Sequence, residues 1–225
     1  MHKPMVSANS GALLVVVAAW ACASATQRSG AGSAWPSTGG QAAAARPEPI
    51  QVDTTHRAYT AADVAFMSGM IHHHAQAVVM AGLAPTHGAS PSVRTLCERI
   101  VVAQRDEIAL MQRWLRDRHE AVPDADHDMM PGMETMVMMP GMLTAVQLAQ
   151  LDSAQGPEFD RLFLRFMIQH HQGAITMVNQ LFGSPGGGEQ ENVFRFASDV
   201  YADQSTEIDR MQKMLASLLF GGHGR

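Results

Sequence analysis

What this chain lacks narrows its class before any motif is read. Its 225 residues include only 2 cysteines, Cys22 and Cys97. Cys22 falls in the N-terminal segment, so Cys97 has no obvious intrachain partner and the mature fold is expected to carry no disulfide. No run of Lys and Arg occurs and the formal net charge is -5. The clustered basic surface that counterion-release binding needs is therefore missing, which argues against nucleic acid. Beyond the first residues no segment stays apolar for the roughly 20 residues that a bilayer crossing takes. No activated nucleophile or substrate pocket suggests itself either, and the chain reads as a binding protein rather than an enzyme.

What is present suits one domain plus appendages, with 46% hydrophobic and 16% charged residues supplying ample core. Lys3 gives a sparse basic start, Gly11 to Ala21 is an apolar stretch of signal-peptide length, and small residues follow, so residues 1–25 read as a signal peptide. Two cleavage readings stand. One uses a small-x-small site at Ala19-Trp20-Ala21 or Ala23-Ser24-Ala25; the other is a lipoprotein site with Cys22 as the lipidated first residue. Either exports the protein, to the periplasm or the outer face of the cell envelope, and the second adds a lipid anchor as its contact with the membrane. Residues 26–56, rich in Ser, Gly, Ala and Pro with little to bury, read as a flexible tether. The domain proper spans 57–220.

That domain is duplicated. His73-His74-x-x-Ala77-x-x-Met80 returns as His170-His171-x-x-Ala174-x-x-Met177, and Asp63, Phe66, Met70 and Ile71 return 97 residues later as Asp160, Phe163, Met167 and Ile168. A second pair follows each copy: Gln104-x-x-Glu107-Ile108-x-x-Met111 and, 100 residues on, Gln204-x-x-Glu207-Ile208-x-x-Met211. A period this long marks a repeated supersecondary unit, with repeat 1 at about 60–119 and repeat 2 at about 157–220. Two helical hairpins packed together make an all-α four-helix bundle.

The helix signals agree. Thr60-Ala-Ala-Asp63 resembles a capping box before a first helix ending near Leu83 to Pro85. Ser90-Pro91 is an N-cap with Pro at the first helical position, opening a second helix to about His119 whose inward stripe is Cys97, Ile100, Gln104, Glu107, Met111 and Trp114. Arg94, Arg105, Arg113, Arg116 and Asp117 fall on the outside. Thr144 to Gln147 caps a short helix, Gly156-Pro157 opens a long one to about Phe182, and the last runs from about Glu189 to Phe220. Between the hairpins, 7 of the 14 residues from Met129 to Met142 are Met, twice interrupted by Pro-Gly, which forbids a long helix.

Helical spacing puts Met70, His73, Ala77 and Met80 on one stripe, with His74 about 100° round, and repeats this with Met167, His170, Ala174, Met177 and His171. Met111 and Met211 share faces with the Gln and Glu residues of their helices. Thioether sulfur is soft and neutral and suits Cu(I), with Ag(I) as its mimic, while imidazole holds Cu(I) or Cu(II). The expected metal ligands are therefore His73, His74, His170, His171, Met70, Met80, Met111, Met167, Met177 and Met211. Behind them, Gln104, Glu107, Gln204 and Glu207 are expected to orient the histidines as hydrogen-bonding partners. The linker offers a further capture set in His127, Met129, Met130, Met133, Met136, Met138, Met139 and Met142. A plainer reading is open for each. Methionines on amphipathic helices usually fill cores, and a buried His pairs with a carboxylate without any metal. Cys97 is expected to be a buried apolar group, and His56, His87, His119, His127 and His223 to lie at the surface.

These two His-His motifs, the two Gln-x-x-Glu-Ile-x-x-Met motifs and the Met-Pro-Gly-Met loop between them resemble the bacterial family catalogued as domain of unknown function 305, over about residues 57 to 217. The resemblance implies a ferritin-like fold and, for some members, export and copper binding. One departure is that His72 and Gln169 stand where the family often has Pro. Capture, buffering or handover of copper, in homeostasis or resistance and alongside copper-handling envelope proteins, is the leading expectation. The enzymatic alternative, a ferritin-like di-iron oxidase, usually needs Glu-x-x-His on two helices, and that motif does not occur here. The remaining alternative is a metal-free helical interaction module of the envelope.

Overall fold

The computed structural model describes residues 58–125 and 139–220. The segments expected to be a signal peptide and a tether, with Cys22 and His56, lie outside them, as do His127, His223 and the linker residues Met129, Met130, Met133, Met136 and Met138. The described residues form α1 (Ala61–Gly82), α2 (Pro91–Arg116), α3 (Ala145–Ser153), α4 (Pro157–Gly183) and α5 (Glu191–Phe220). Among these residues every regular element is helical, and no helix is long and apolar enough to cross a membrane.

Local chemistry starts the helices where the sequence indicates. Thr60 closes a capping box with Asp63, and Thr144 closes another with Gln147, each satisfying two backbone N–H groups that the first turn leaves without intrahelical partners. Ser90 accepts from the Val93 N–H, and 100 residues on the Gln190 side chain does the same for Val193. The duplicated aspartates then tie the hairpins together. Asp63 Oδ1 accepts the Gly188 N–H at 2.7 Å, in the loop before α5. Its counterpart Asp160 accepts the Ser90 N–H at 3.2 Å, in the loop before α2. Each carboxylate is buried at the start of its own helix, where the dipole favours negative charge, and each reaches the turn of the other hairpin.

α1 packs on α2, α4 packs on α5, and α1 meets α4. The core divides into two apolar clusters. One combines the second half of α1 (Ala77, Met80, Ala81) with the first half of α4 (Phe159, Phe163, Met167). The other joins the first half of α1 (Phe66, Met67, Met70) to the second half of α4 (Ala174, Met177, Leu181). The two helices therefore run antiparallel, related by a pseudo-twofold axis. The four histidines, with Gln104 and Gln204, form a buried polar belt outside both clusters.

Two residues depart from expectation. His87 is buried rather than at the surface: its Nδ1 lies 2.8 Å from the Leu83 carbonyl and its Nε2 2.7 Å from that of Asp152, so it locks the α1–α2 loop to the end of α3. Glu107, on the expected inward stripe, is only half-buried. Cys97 is buried as expected, and burial pushes its thiol up to about 12, which makes it unreactive at neutral pH.

Candidate metal centre

The two half-sites meet. His73 from α1 and His170 from α4 face each other with ring centroids 3.9 Å apart and planes 41° from parallel. His74 and His171 sit outside them, at 6.4 and 6.3 Å from their neighbours' centroids, so the arrangement keeps the twofold closely. All four side chains are fully buried. His74 Nε2 lies 2.7 Å from Glu107 Oε2, an ion-pair distance, though off the direction of a hydrogen bond; His171 Nε2 is hydrogen-bonded to Glu207 Oε2 at 2.6 Å. The expected partnership of Glu107 and Glu207 with the motif histidines is therefore present as geometry, and it falls on the second histidine of each pair.

His73 Nε2 donates to the Pro140 carbonyl at 3.0 Å. A carbonyl only accepts, so the proton of a neutral His73 resides on Nε2 and its Nδ1 carries the lone pair. That Nδ1 has no hydrogen-bond partner, and the same holds for Nδ1 of His74, His170 and His171 and for Nε2 of His170. Burial, and then the neighbouring His74, lower His73 to about 3, with the Pro140 carbonyl opposing. Burial and the flanking His73, His171 and His74 hold His170 well below the ordinary value, although the nearby His73 carbonyl works weakly the other way. His73 and His170 are thus neutral imidazoles at physiological pH.

The six candidate thioethers are all buried, but not as two sets of one repeat each. Met70 and Met111 of repeat 1 cluster with Met177 of repeat 2, while Met167 and Met211 of repeat 2 cluster with Met80 of repeat 1. Met70 and Met80 share a helical stripe, yet they serve opposite ends of the centre. Among the described residues no three His, Cys, Asp or Glu groups converge on one point. The donors on offer are instead imidazole nitrogens at mid-helix of α1 and α4, between two apolar clusters that each hold three of the candidate methionines. Neutral lone pairs and soft sulfur, sealed from water, fit a monovalent soft ion.

The linker's end seals one side. The Pro140–Gly141 turn lies so close to α4 that a Cβ at Gly173 would sit 1.9 Å from the Pro140 oxygen, and Gly141 itself adopts φ 77°. Gln76, the residue that Gly173 replaces in the second repeat, clamps the same segment by receiving the Leu143 N–H at 2.7 Å and donating to its carbonyl at 3.0 Å. Gln169 donates to Gly141 and receives from Gln147, so this departure from the family pattern serves the linker. His72 is half-buried. Met139 lies against Gly69 together with Met177, and Met142 is half-buried beside the same turn. The Pro140 carbonyl and the Gln76–Gly173 pair went unread in the sequence. Their signal was the second of the two positions, both different between the motif copies, that separate the His pair from the Ala.

A duplicated helical hairpin enclosing a twofold-related histidine pair between methionine clusters defines the class. The chain belongs to the DUF305 family (Domain of unknown function), whose profile matches residues 63–215. Solved structures agree. A DUF305 fragment from Deinococcus radiodurans is 28% identical, with TM-score 0.60 over 71% of this chain and 99% of that one. A DUF305 protein from Streptomyces coelicolor, described as a candidate secreted protein, is 28% identical, with TM-score 0.58 over 70% and 93%. CopM in its Cu(II)-bound form is 30% identical, with TM-score 0.56 over 69% and 96%, and CopM has also been solved with Cu(I) and with Ag. No curated protein matches the chain at a significant level.

Proposed function

We propose that this is an exported copper-binding protein that captures, buffers or hands on copper, with Cu(I) as the preferred ion, Cu(II) also accommodated and Ag(I) as a mimic. The observation that carries this reading is the meeting of His73 and His170 as neutral imidazoles whose buried Nδ1 atoms lack any partner. An unpaired buried polar atom ordinarily costs about 1–3 kcal/mol, and a metal ion would offset that cost. The copper- and silver-bound forms of CopM support the choice of metal. His74 and His171, oriented by Glu107 and Glu207, and the six methionines complete the donor supply.

We read the centre as a store rather than a catalyst, since Glu107 and Glu207 are each engaged by a histidine and an oxidase would need them on iron. The Met-rich linker serves as the collecting arm, joined to the bundle where Met139 lies against Gly69. Its partners are other copper-handling proteins of the envelope, and Cys22 is the candidate lipid anchor.

Titration with Cu(I) against a competing chelator tests this, comparing the protein with a His73→Ala/His74→Ala/His170→Ala/His171→Ala variant of preserved helicity. Tight binding that drops by at least about a hundredfold in the variant is expected, about 2.7 kcal/mol. Undiminished binding would move the site to the linker, and no binding by either protein would leave the metal-free interaction module.

A further inference from the structure

The linker's end crosses the pseudo-twofold axis. Gln76 and Gly173 are mates across that axis, and the same short segment meets both. Leu143 exchanges two hydrogen bonds with the Gln76 side chain, and the Pro140 carbonyl lies where a Cβ on Gly173 would collide with it. A single strand on a twofold axis cannot serve both halves alike. Here it serves the first. The Pro140 carbonyl accepts from His73 Nε2 at 3.0 Å, whereas His170, the mate of His73, has no hydrogen-bond partner on either nitrogen. The two outer rings each have a carboxylate beside them, Glu107 at 2.7 Å from His74 and Glu207 at 2.6 Å from His171. Of the four buried rings, His170 is thus the one with no such partner among the described residues.

We propose that Gln76 is a positioning residue of the centre, acting through the linker's end: it holds the Pro140 carbonyl on His73, which fixes that ring with its proton on Nε2 and Nδ1 as its donor atom, and leaves His170 free to offer either nitrogen. This role rests on the copper reading and deepens it. An imidazole that gives its second N–H to a carbonyl or carboxylate is set in tautomer and orientation and is a more basic ligand. Gln76 suits the task because a primary amide donates and accepts at once, matching the C=O and N–H that Leu143 presents. The tautomer is a real choice only for a neutral ring, and burial keeps His73 and His170 neutral. Glycine at 173 completes the arrangement from α4, since any side chain there would push the carbonyl away. The result is an unequal pair inside a symmetric fold, one imidazole set in advance and one left adjustable.

Long-range proton–nitrogen spectra of the histidine side chains, taken on metal-free full-length protein at neutral pH, read the tautomers directly. His73 should show a protonated Nε2 and a bare Nδ1, and His170 should show nitrogen shifts averaged between the two forms. Gln76→Leu leaves Leu143 unpaired, and Gly173→Ala displaces Pro140 from the opposite helix. Each should move His73 to the averaged pattern while His171, held by Glu207, keeps its own. General loosening of the fold would disturb His171 as well. Ag(I) affinity should fall by roughly tenfold in both variants, although neither residue is a ligand. Gln76→Glu, which still accepts the Leu143 N–H, should recover part of that loss. A His73 protonated on Nδ1, a His170 locked in a single form, a His73 pattern indifferent to both substitutions, or an Ag(I) affinity unchanged by them would overturn the role. If the unmodified protein failed to take up Ag(I), the copper reading would fall, and the metal-free spectra would still decide whether Gln76 sets the ring.

Discussion

His73 shows how a single side chain links folding to pH. Its folded-state proton affinity is lowered to about 3, and that of His170 also lies well below the ordinary 6.5. Folded, these rings bind fewer protons than they do unfolded. The stability they contribute is complete above about pH 6.5 and is lost as pH falls from there toward about 3. In metal-free protein, urea unfolding between pH 7 and pH 5 should show stability falling by about 1.4 kcal/mol per histidine per pH unit once below the unfolded value. Asp203 works in the opposite sense, weakly, because it is exposed to solvent. A flat profile would mean that the two rings are hydrated or charged in the fold. The identity of these histidines was plain in the sequence, but their neutrality was not, since it comes from burial and from one another.

At the scale of the element, Gly173 is the informative position. In mid-helix, Gly→Ala is normally stabilising by about 1 kcal/mol. Here the added methyl would meet the Pro140 carbonyl, displacing the turn that bonds to His73 and is clamped by Gln76. Overpacking costs about 1–3 kcal/mol and each lost hydrogen bond about 1 kcal/mol, so Gly173→Ala should destabilise by roughly 2 kcal/mol net. Thermal unfolding decides it, because a rise in Tm would show that the linker's end does not dock. The helices themselves were legible: the capping boxes at Thr60 and Thr144, the Ser90-Pro91 start and the Gly156-Pro157 break all stand where local chemistry puts them. The linker's docking was not legible, because Gln76 and Gly173 act on residues 67 and 33 positions away.

For the whole molecule, the crossing of the methionines across the twofold has a measurable consequence. The triads Met70–Met111–Met177 and Met80–Met167–Met211 are equivalent by symmetry, so replacing either one entirely by Leu should weaken Ag(I) binding to a similar degree. Replacing both should remove most of it. Met and Leu are close in volume, each swap costing under about 1.5 kcal/mol, so circular dichroism should report a retained fold. Unchanged Ag(I) binding in the double triad would return all six to simple core filling.

The amino-acid sequence by itself determined that the chain forms paired helical hairpins, where each helix begins, and that His, Met, Gln and Glu recur on matching faces. Helical periodicity and capping act over a few residues and need no other part of the chain. Tertiary structure alone decided that His73 meets His170 rather than its own repeat's partner, and that Met70 and Met80 part to opposite clusters. Those distances depend on how two antiparallel helices cross, which is set by the packing of both cores and by Asp63 and Asp160 reaching across to the opposite turns.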